Sequence, residues 1–292
     1  MKIAVVATLL CGNFHANPYG PELQVKQMLG RRSARGGKMK KICIFCFVIV
    51  LFSSCAVFKP TTIPLNYQPK KYTIETVYSK SSKLNYVIAL PKNYDATKED
   101  YPVIVFLHSM AERGNNPNLV IYNELGEKYG LTQYLDDKDF PFIIVSPLCP
   151  DKTYWPFLSN KLNKMMKEIQ SKYRVKKDSI YLTGVSMGGM GVWSFAMDYP
   201  EWFAAIVPIS GGLYCPPMKN KPKKLENISI WAFHSRNDIE CPIEKEEWFI
   251  NKLQEKNIDI KYTIEDGSEH YVHGVVYSDD EIYKWLLGKT KS

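Results

Sequence analysis

Past its first 55 residues this chain has almost no net charge. The overall +8 is concentrated at the N-terminus, where residues 1–55 hold 8 Lys+Arg against 1 acidic residue. The rest of the chain holds 30 Lys+Arg against 29 Asp+Glu. A basic groove for nucleic acid therefore has no compositional support. Cysteine is also sparse there: of seven cysteines only Cys149, Cys215 and Cys241 lie beyond residue 55. They form no CxxC pair and stand at no ligand spacing to a histidine, which argues against a zinc site. In an exported protein one disulfide could join two of the three, with buried free thiols as the alternative. The conspicuous apolar run, Ile42–Phe52, has eleven residues. A spanning helix needs about 20.

That run has the length of a signal-peptide core. Lys40 and Lys41 precede it, and Ser53, Ser54 and Cys55 follow. The segment 39–55 resembles a bacterial lipoprotein signal, which implies lipidation at Cys55 and a membrane contact made only through that anchor. Cleavage as an ordinary secretory signal is the alternative. Residues 1–38 show no pattern and read as an N-terminal extension, with translation expected to begin at Met39. Residues 56–71, with Pro60, Pro64 and Pro69, read as a spacer. The expected location is a bacterial cell envelope, or else the periplasm or the medium.

From residue 72 to 292 strand-like and helix-like segments alternate, and 45% hydrophobic residues supply a core. Tyr72–Tyr78 and Leu84–Leu90 suggest an antiparallel pair. Val103–His108 and Phe142–Val145 are continuous apolar runs, as in strands covered on both faces. Leu158, Leu162, Met165, Met166 and Ile169 share one face of a predicted helix over 158–173. Further strands are predicted at 180–183, 204–209, 228–233 and 260–264, and helices at 187–199, 244–256 and 279–287. Such alternation predicts an α/β domain with a mostly parallel central sheet flanked by helices. Its chemistry belongs at the carboxyl ends of the strands.

Gly184-Val185-Ser186-Met187-Gly188 is a GxSxG string between a strand pattern and a helix pattern, the context of a nucleophile elbow. Gly188, Gly189 and Gly191 leave room for the helix to approach the sheet. An ordinary capping serine in a glycine-rich turn is the competing reading. A serine nucleophile needs a base and the base an orienting carboxylate, in the order Ser, acid, His. His270 follows the last strand and is the expected base, with His273 as competitor. Asp238, in the loop after the strand ending at His234, is the expected acid, with Glu240 and Asp266 as alternatives. His234 and His108 are expected to serve packing and loop shape. The backbone N–H of Met187 is one expected oxyanion donor; the other is assigned to Met110 or Ser109.

These residues resemble the bacterial secreted α/β-hydrolases of the esterase D and feruloyl-esterase kind. Members are also described as predicted peptidases or phospholipase/carboxylesterase-like proteins. The resemblance covers about residues 72–288. It rests on LHSMAERG (family LHGxGERG), Pro147–Pro150 followed by Trp155, Gly184–Trp193 (GxSMGGxGxW), Asp238–Pro242 (DxxVP), GSEHYVHG (GxxHxxW) and Tyr283–Leu287 (YxWLL). It implies an α/β-hydrolase fold and a Ser186–Asp238–His270 triad acting on small or polysaccharide-linked esters, with acetyl and feruloyl groups first among them. No cofactor or metal is implied. Two positions depart from the pattern. Ser109 replaces a glycine, which bears on the oxyanion loop. His273 replaces a tryptophan, which bears on the pocket. Trp155 and His273 are expected to touch substrate; Trp193 and Tyr214 are further candidates with core packing as the alternative. A peptidase with the same triad, or a non-catalytic binding module on a degenerate fold, are the competing functions.

Overall fold

A computed structural model describes residues 66–123, 126–213, 221–266 and 270–291. They belong to one unit, Thr62–Ser292. The signal segment, Cys55, Tyr214 and Cys215 lie outside the described residues.

One eight-stranded sheet organises the unit. Its strands are β1 (Tyr72–Ser79), β2 (Leu84–Pro91), β3 (Tyr101–Leu107), β4 (Ile143–Pro147), β5 (Val175–Val185), β6 (Ala205–Ile209), β7 (Ser229–Ser235) and β8 (Ile260–Glu265). Their spatial order is β1-β2-β4-β3-β5-β6-β7-β8. β1 pairs antiparallel with β2 and β2 antiparallel with β4; every pairing from β4 to β8 is parallel. The sequence pattern follows from these positions. β3, β4 and β6 are buried at every residue, because helices cover both faces of a parallel sheet. β1, on the edge, keeps exposed Thr73 and Glu75 between buried and half-buried neighbours.

The helices are α1 (Leu131–Leu135), α2 (Ser159–Lys172), α3 (Met187–Asp198), α4 (Glu244–Gln254), α5 (His273–Ser278) and α6 (Asp280–Leu287). α2 buries Leu162, Met165, Met166 and Ile169 on the predicted face. Each such side chain contributes about 1.5–3 kcal/mol on burial. α6 is started by Asp279, whose carboxylate accepts from the Glu281 N–H at 2.9 Å. α3 is buried on almost all sides, because it runs across the middle of the sheet. Glycine makes that approach possible: a Cβ on Gly188 would lie 1.9 Å from the Leu107 carbonyl oxygen.

β5 is the largest departure in extent from the expected strands. It runs eleven residues, because Val175 pairs with Tyr101 before an irregularity at Tyr101/Val103 and the main register from Ile180 onward. The short α1 and α5 have no counterpart in the sequence reading. Each is under two turns long, so no apolar stripe accumulates. The end of the expected spacer is engaged with the domain: Tyr67 Oη and the N–H groups of Lys70 and Lys71 all donate to the buried Asp136 carboxylate at 2.7–2.8 Å.

Candidate active site

Ser186 sits between the end of β5 and the start of α3 with φ 57° and ψ −117°. A non-glycine residue rarely adopts this left-handed backbone, and such strain gathers where a side chain must be presented. Two hydrogen bonds hold it there. The Ser186 N–H donates to Ile209 O at the end of β6, at 2.9 Å, and the Met190 N–H donates to Ser186 O at 3.0 Å.

Asp238 follows β7 and His270 follows β8, both just past the carboxyl ends of their strands. His270 Nδ1 and Asp238 Oδ2 are 2.8 Å apart, and both side chains are almost fully buried. Asp238 Oδ1 accepts the N–H groups of Glu240 at 3.0 Å and Cys241 at 2.7 Å. Burial opposes the charge on Asp238. The close ionic contact with His234, 3.4 Å away, and the hydrogen bonds from His270 and the Cys241 N–H outweigh it and hold this carboxyl well below the usual range. Asp238 is thus ionised, and its carboxylate accepts the hydrogen bond that Nδ1 of His270 donates.

The competing assignments separate cleanly. Asp266 is exposed and pairs with Arg236 at 2.7 Å. Glu240 is half exposed; its carboxylate stands 3.9 Å from His270 Nε2, on the opposite ring edge from Asp238. His273 is buried on α5, with its ring centroid 5.3 Å from that of Tyr129 and 6.1 Å from that of Tyr271. Burial, followed by the charge of His270, lowers its pKa to about 4, and its Nδ1 has no partner.

The loop after β3 faces the start of α3. His108 is fully buried: Nδ1 donates to Ser109 O at 2.7 Å and Nε2 accepts the Cys149 N–H at 3.0 Å. That pattern fixes a neutral ring, and burial lowers its pKa to about 4. Ser109 does not strain the loop, since its φ is not positive. Its hydroxyl donates to Glu112 at 2.6 Å and its N–H donates to Tyr129 Oη at 2.6 Å. With the Ser109 N–H so engaged, Met110 is the residue left to donate from this loop. Met187, first in α3, has no intrahelical acceptor for its own N–H.

Trp155 and His234 depart from what the sequence suggested, while Trp193 takes the core-packing alternative and the two described cysteines the free-thiol alternative. Trp155 is not a substrate contact: it is fully buried, and its Nε1–H donates to His108 O at 2.9 Å. Trp193, also fully buried, donates to Glu246 at 3.0 Å and packs on Phe249. Cys149 and Cys241 are free buried thiols, each pushed up to about 12 by burial first, so they form no disulfide with each other. His234 does more than pack, because both its ring nitrogens are bonded: Nδ1 to Glu246, Nε2 to Cys241 O at 2.8 Å. Glu246 had escaped notice. Its signal was its place, in register with Phe249, Ile250 and Leu253 on the apolar face of α4.

Comparison with known proteins places this arrangement. A family model described as "Putative esterase" matches residues 79–251, more than half of the chain. The chain belongs to this esterase family. The matched span includes Ser186 and Asp238; His270 lies beyond it. A curated relative, "Putative esterase NocK" of Nocardia uniformis subsp. tsuyamanensis, is 36% identical over 55 residues, 19% of this chain and 16% of the relative. Among solved structures, a thermostable esterase superposes with TM-score 0.64 at 25% identity, over 76% of this chain and 64% of the other. The chain therefore spans less than two thirds of either protein. A ferulic acid esterase from Anaeromyces mucronatus superposes with TM-score 0.57 at 15% identity, over 80% and 95% of the two chains. An acylaminoacyl peptidase from Pyrococcus horikoshii gives 0.58 at 16%, over 76% and 43%. The fold of this esterase-family chain is that of the α/β-hydrolases.

Proposed function

We propose that this chain hydrolyses carboxylic esters by two-step acyl transfer, with Ser186 as nucleophile, His270 as base and Asp238 as the orienting acid. The observation that carries the reading is the buried 2.8 Å contact between His270 Nδ1 and Asp238 Oδ2, past the carboxyl ends of the parallel strands, where strained Ser186 also stands. The Ser186 hydroxyl donates to His270 Nε2 in the reacting complex. Its oxygen then bonds the ester carbonyl carbon while its proton passes to Nε2. The N–H groups of Met187 and Met110 receive the oxyanion. His270 returns the proton to the leaving alkoxide as the C–O bond breaks. Water repeats the sequence on the acyl-serine: its proton goes to Nε2, its oxygen to the carbonyl carbon, and Ser186 leaves with the proton from His270.

The substrate is an ester on a saccharide, acetyl or feruloyl, taken up outside the cytoplasm by a protein anchored through Cys55. Two observations support the acyl part: the ferulic acid esterases among the structural neighbours, and the exposed apolar residues that follow the catalytic ones in the chain, Ile239 after Asp238 and Tyr271 after His270, with the Tyr271 ring centroid 5.4 Å from that of His270. The leader pattern at 39–55 supports export and anchoring. His273, buried with its ring centroid 6.1 Å from that of Tyr271, shapes the pocket at the position where the family resemblance implies a tryptophan.

Hydrolysis of short-chain nitrophenyl esters by the full chain, beside Ser186→Ala and His270→Ala, tests the chemistry. Turnover that falls by about 10⁴-fold or more in both variants supports it. A folded wild-type chain that neither turns over esters nor reacts with a fluorophosphonate at Ser186 overturns it, in favour of a binding module. A panel of acetylated and feruloylated saccharides then tests the substrate, and radiolabelled fatty acid retained by the wild type and lost in Cys55→Ala tests the anchor.

A further inference from the structure

Behind Asp238 lies a second layer of charge that the acyl-transfer steps do not use. His234, at the end of β7, and Glu246, in the first turn of α4, are both completely buried. His234 Nδ1 meets Glu246 Oε2, and Glu246 Oε1 accepts the Trp193 indole N–H at 3.0 Å. On the other ring edge, Nε2 donates to Cys241 O at 2.8 Å and stands 3.4 Å from Asp238 Oδ2. The carbonyl takes the direct hydrogen bond; the carboxylate is a close ionic contact. Both ring nitrogens thus face only oxygen acceptors, which a neutral imidazole with one N–H cannot satisfy.

The surrounding groups agree. The loop after β7 contributes ionised Asp238, half-exposed Glu240 and the Cys241 thiol; α4 contributes Glu246; β8 contributes Tyr262, whose buried hydroxyl has no partner; His270 lies beyond Asp238. Two carboxylates in a dry interior repel, and one would take up a proton unless a cation stood between them. His234 stands there. Burial alone would lower its pKa, but Asp238 and Glu246 together raise it to about 10.

We propose that His234 is a positioning residue: an imidazolium, held by Glu246, that fixes the Asp238–Cys241 loop and keeps Asp238 ionised toward His270. The inference rests on the triad assigned above. It makes Glu246 the anchor of the arrangement, and Trp193 the donor that satisfies the remaining carboxylate oxygen.

Nitrogen-15 chemical shifts of the His234 ring in the full-length wild-type protein at pH 8 test the charge directly. Both nitrogens protonated is the expected result; one unprotonated nitrogen overturns the proposal. In Glu246→Gln, which keeps shape and hydrogen-bonding capacity but removes the anion, the His234 titration should fall into the neutral range. If it stays near the wild-type position, Glu246 is not the anchor and the proposal fails. His234→Gln removes the cation beside Asp238, so the His270 imidazolium gains stability. The acid limb of kcat/KM should move up by about one pH unit or less, with kcat about tenfold lower and KM within twofold. An unmoved limb with unchanged kcat overturns a role in catalysis. The same limb is read in the rate at which a fluorophosphonate labels Ser186. Failure of wild-type Ser186 to react at all is therefore recognised as failure of the nucleophile assignment, while the nitrogen shifts still decide the charge of His234.

Discussion

Asp238 binds His270 and its own loop with different oxygens. Oδ2 takes the Nδ1 proton of His270 at 2.8 Å, while Oδ1 takes the N–H groups of Glu240 and Cys241 at 3.0 and 2.7 Å. The carboxylate is therefore oriented by the backbone before it orients the histidine. Asp238→Asn would keep the shape but could turn its amide N–H toward Nδ1, forcing the proton onto Nε2 and removing the base. A fall in kcat of about 10⁴-fold is expected, with KM changed little. Steady-state kinetics on a nitrophenyl ester check this, and thermal unfolding of the same variant separates it from a folding defect.

The fold, and the placing of Ser186, Asp238 and His270 just past the ends of their strands, were legible in the sequence because each rests on local signals. Runs such as VIVFLH announce doubly covered strands, and Gly184–Gly188 announces the turn that presents Ser186. What was not legible depends on contacts across the sheet. Trp155 reads as a pocket aromatic, yet its indole N–H lies on the His108 carbonyl, 47 residues away. His234 reads as packing until α4 brings Glu246 against it. Ser109 reads as a strained replacement for glycine until Glu112 and Tyr129 are seen to bond it. Buried polar groups take their meaning from partners distant in sequence, and one chain alone does not pair them.

Three buried histidines set opposite pH limits on stability. His234 has its folded pKa raised to about 10, above its unfolded value near 6.5. Its contribution is complete below about pH 6.5 and is lost as pH rises toward about 10. His108 and His273 have folded values lowered to about 4. Their contribution is present above about pH 6.5 and is lost as pH falls toward 4, because the unfolded chain takes up protons that the folded one refuses. Asp238, whose folded pKa is depressed, adds a further loss at more acid pH. The melting temperature should therefore peak near neutrality and decline on both sides. His234→Gln should flatten the alkaline decline and leave the acid one. A pH series of thermal melts on the two proteins reads this; an unchanged alkaline slope counts against a charged His234.

Gly188 is where the helix behind the nucleophile touches the sheet. An added Cβ would meet Leu107 O at 1.9 Å and Leu107 C at 2.7 Å, both backbone atoms with no freedom to swing aside. Gly188→Ala must push α3 away from β3, which shifts Met187 relative to the Met110 loop. A loss of about 2–4 kcal/mol is expected in denaturant unfolding, with activity falling further than stability accounts for. Gly274→Ala is the control, since its nearest neighbour is the Tyr134 hydroxyl at 3.6 Å; it should lose less than about 1 kcal/mol.

Trp155 supports the loop after β3 from below rather than lining a pocket. Its indole N–H satisfies His108 O, its ring meets the His108 imidazole edge-on at 5.0 Å, and a Cβ on Gly191 would fall 2.5 Å from its own Cβ. Trp155→Phe keeps most of the volume and removes the donor. It leaves a carbonyl at a completely buried residue without its partner, at a cost of about 1–3 kcal/mol. Stability should fall by that amount. The kcat should fall with it, since the Met110 N–H hangs from the same loop, while KM for acetyl and feruloyl esters alike stays within twofold. Chemical unfolding together with kinetics on both esters tests this. A selective rise in KM for the bulky acyl group, with stability unchanged, would return Trp155 to the substrate pocket.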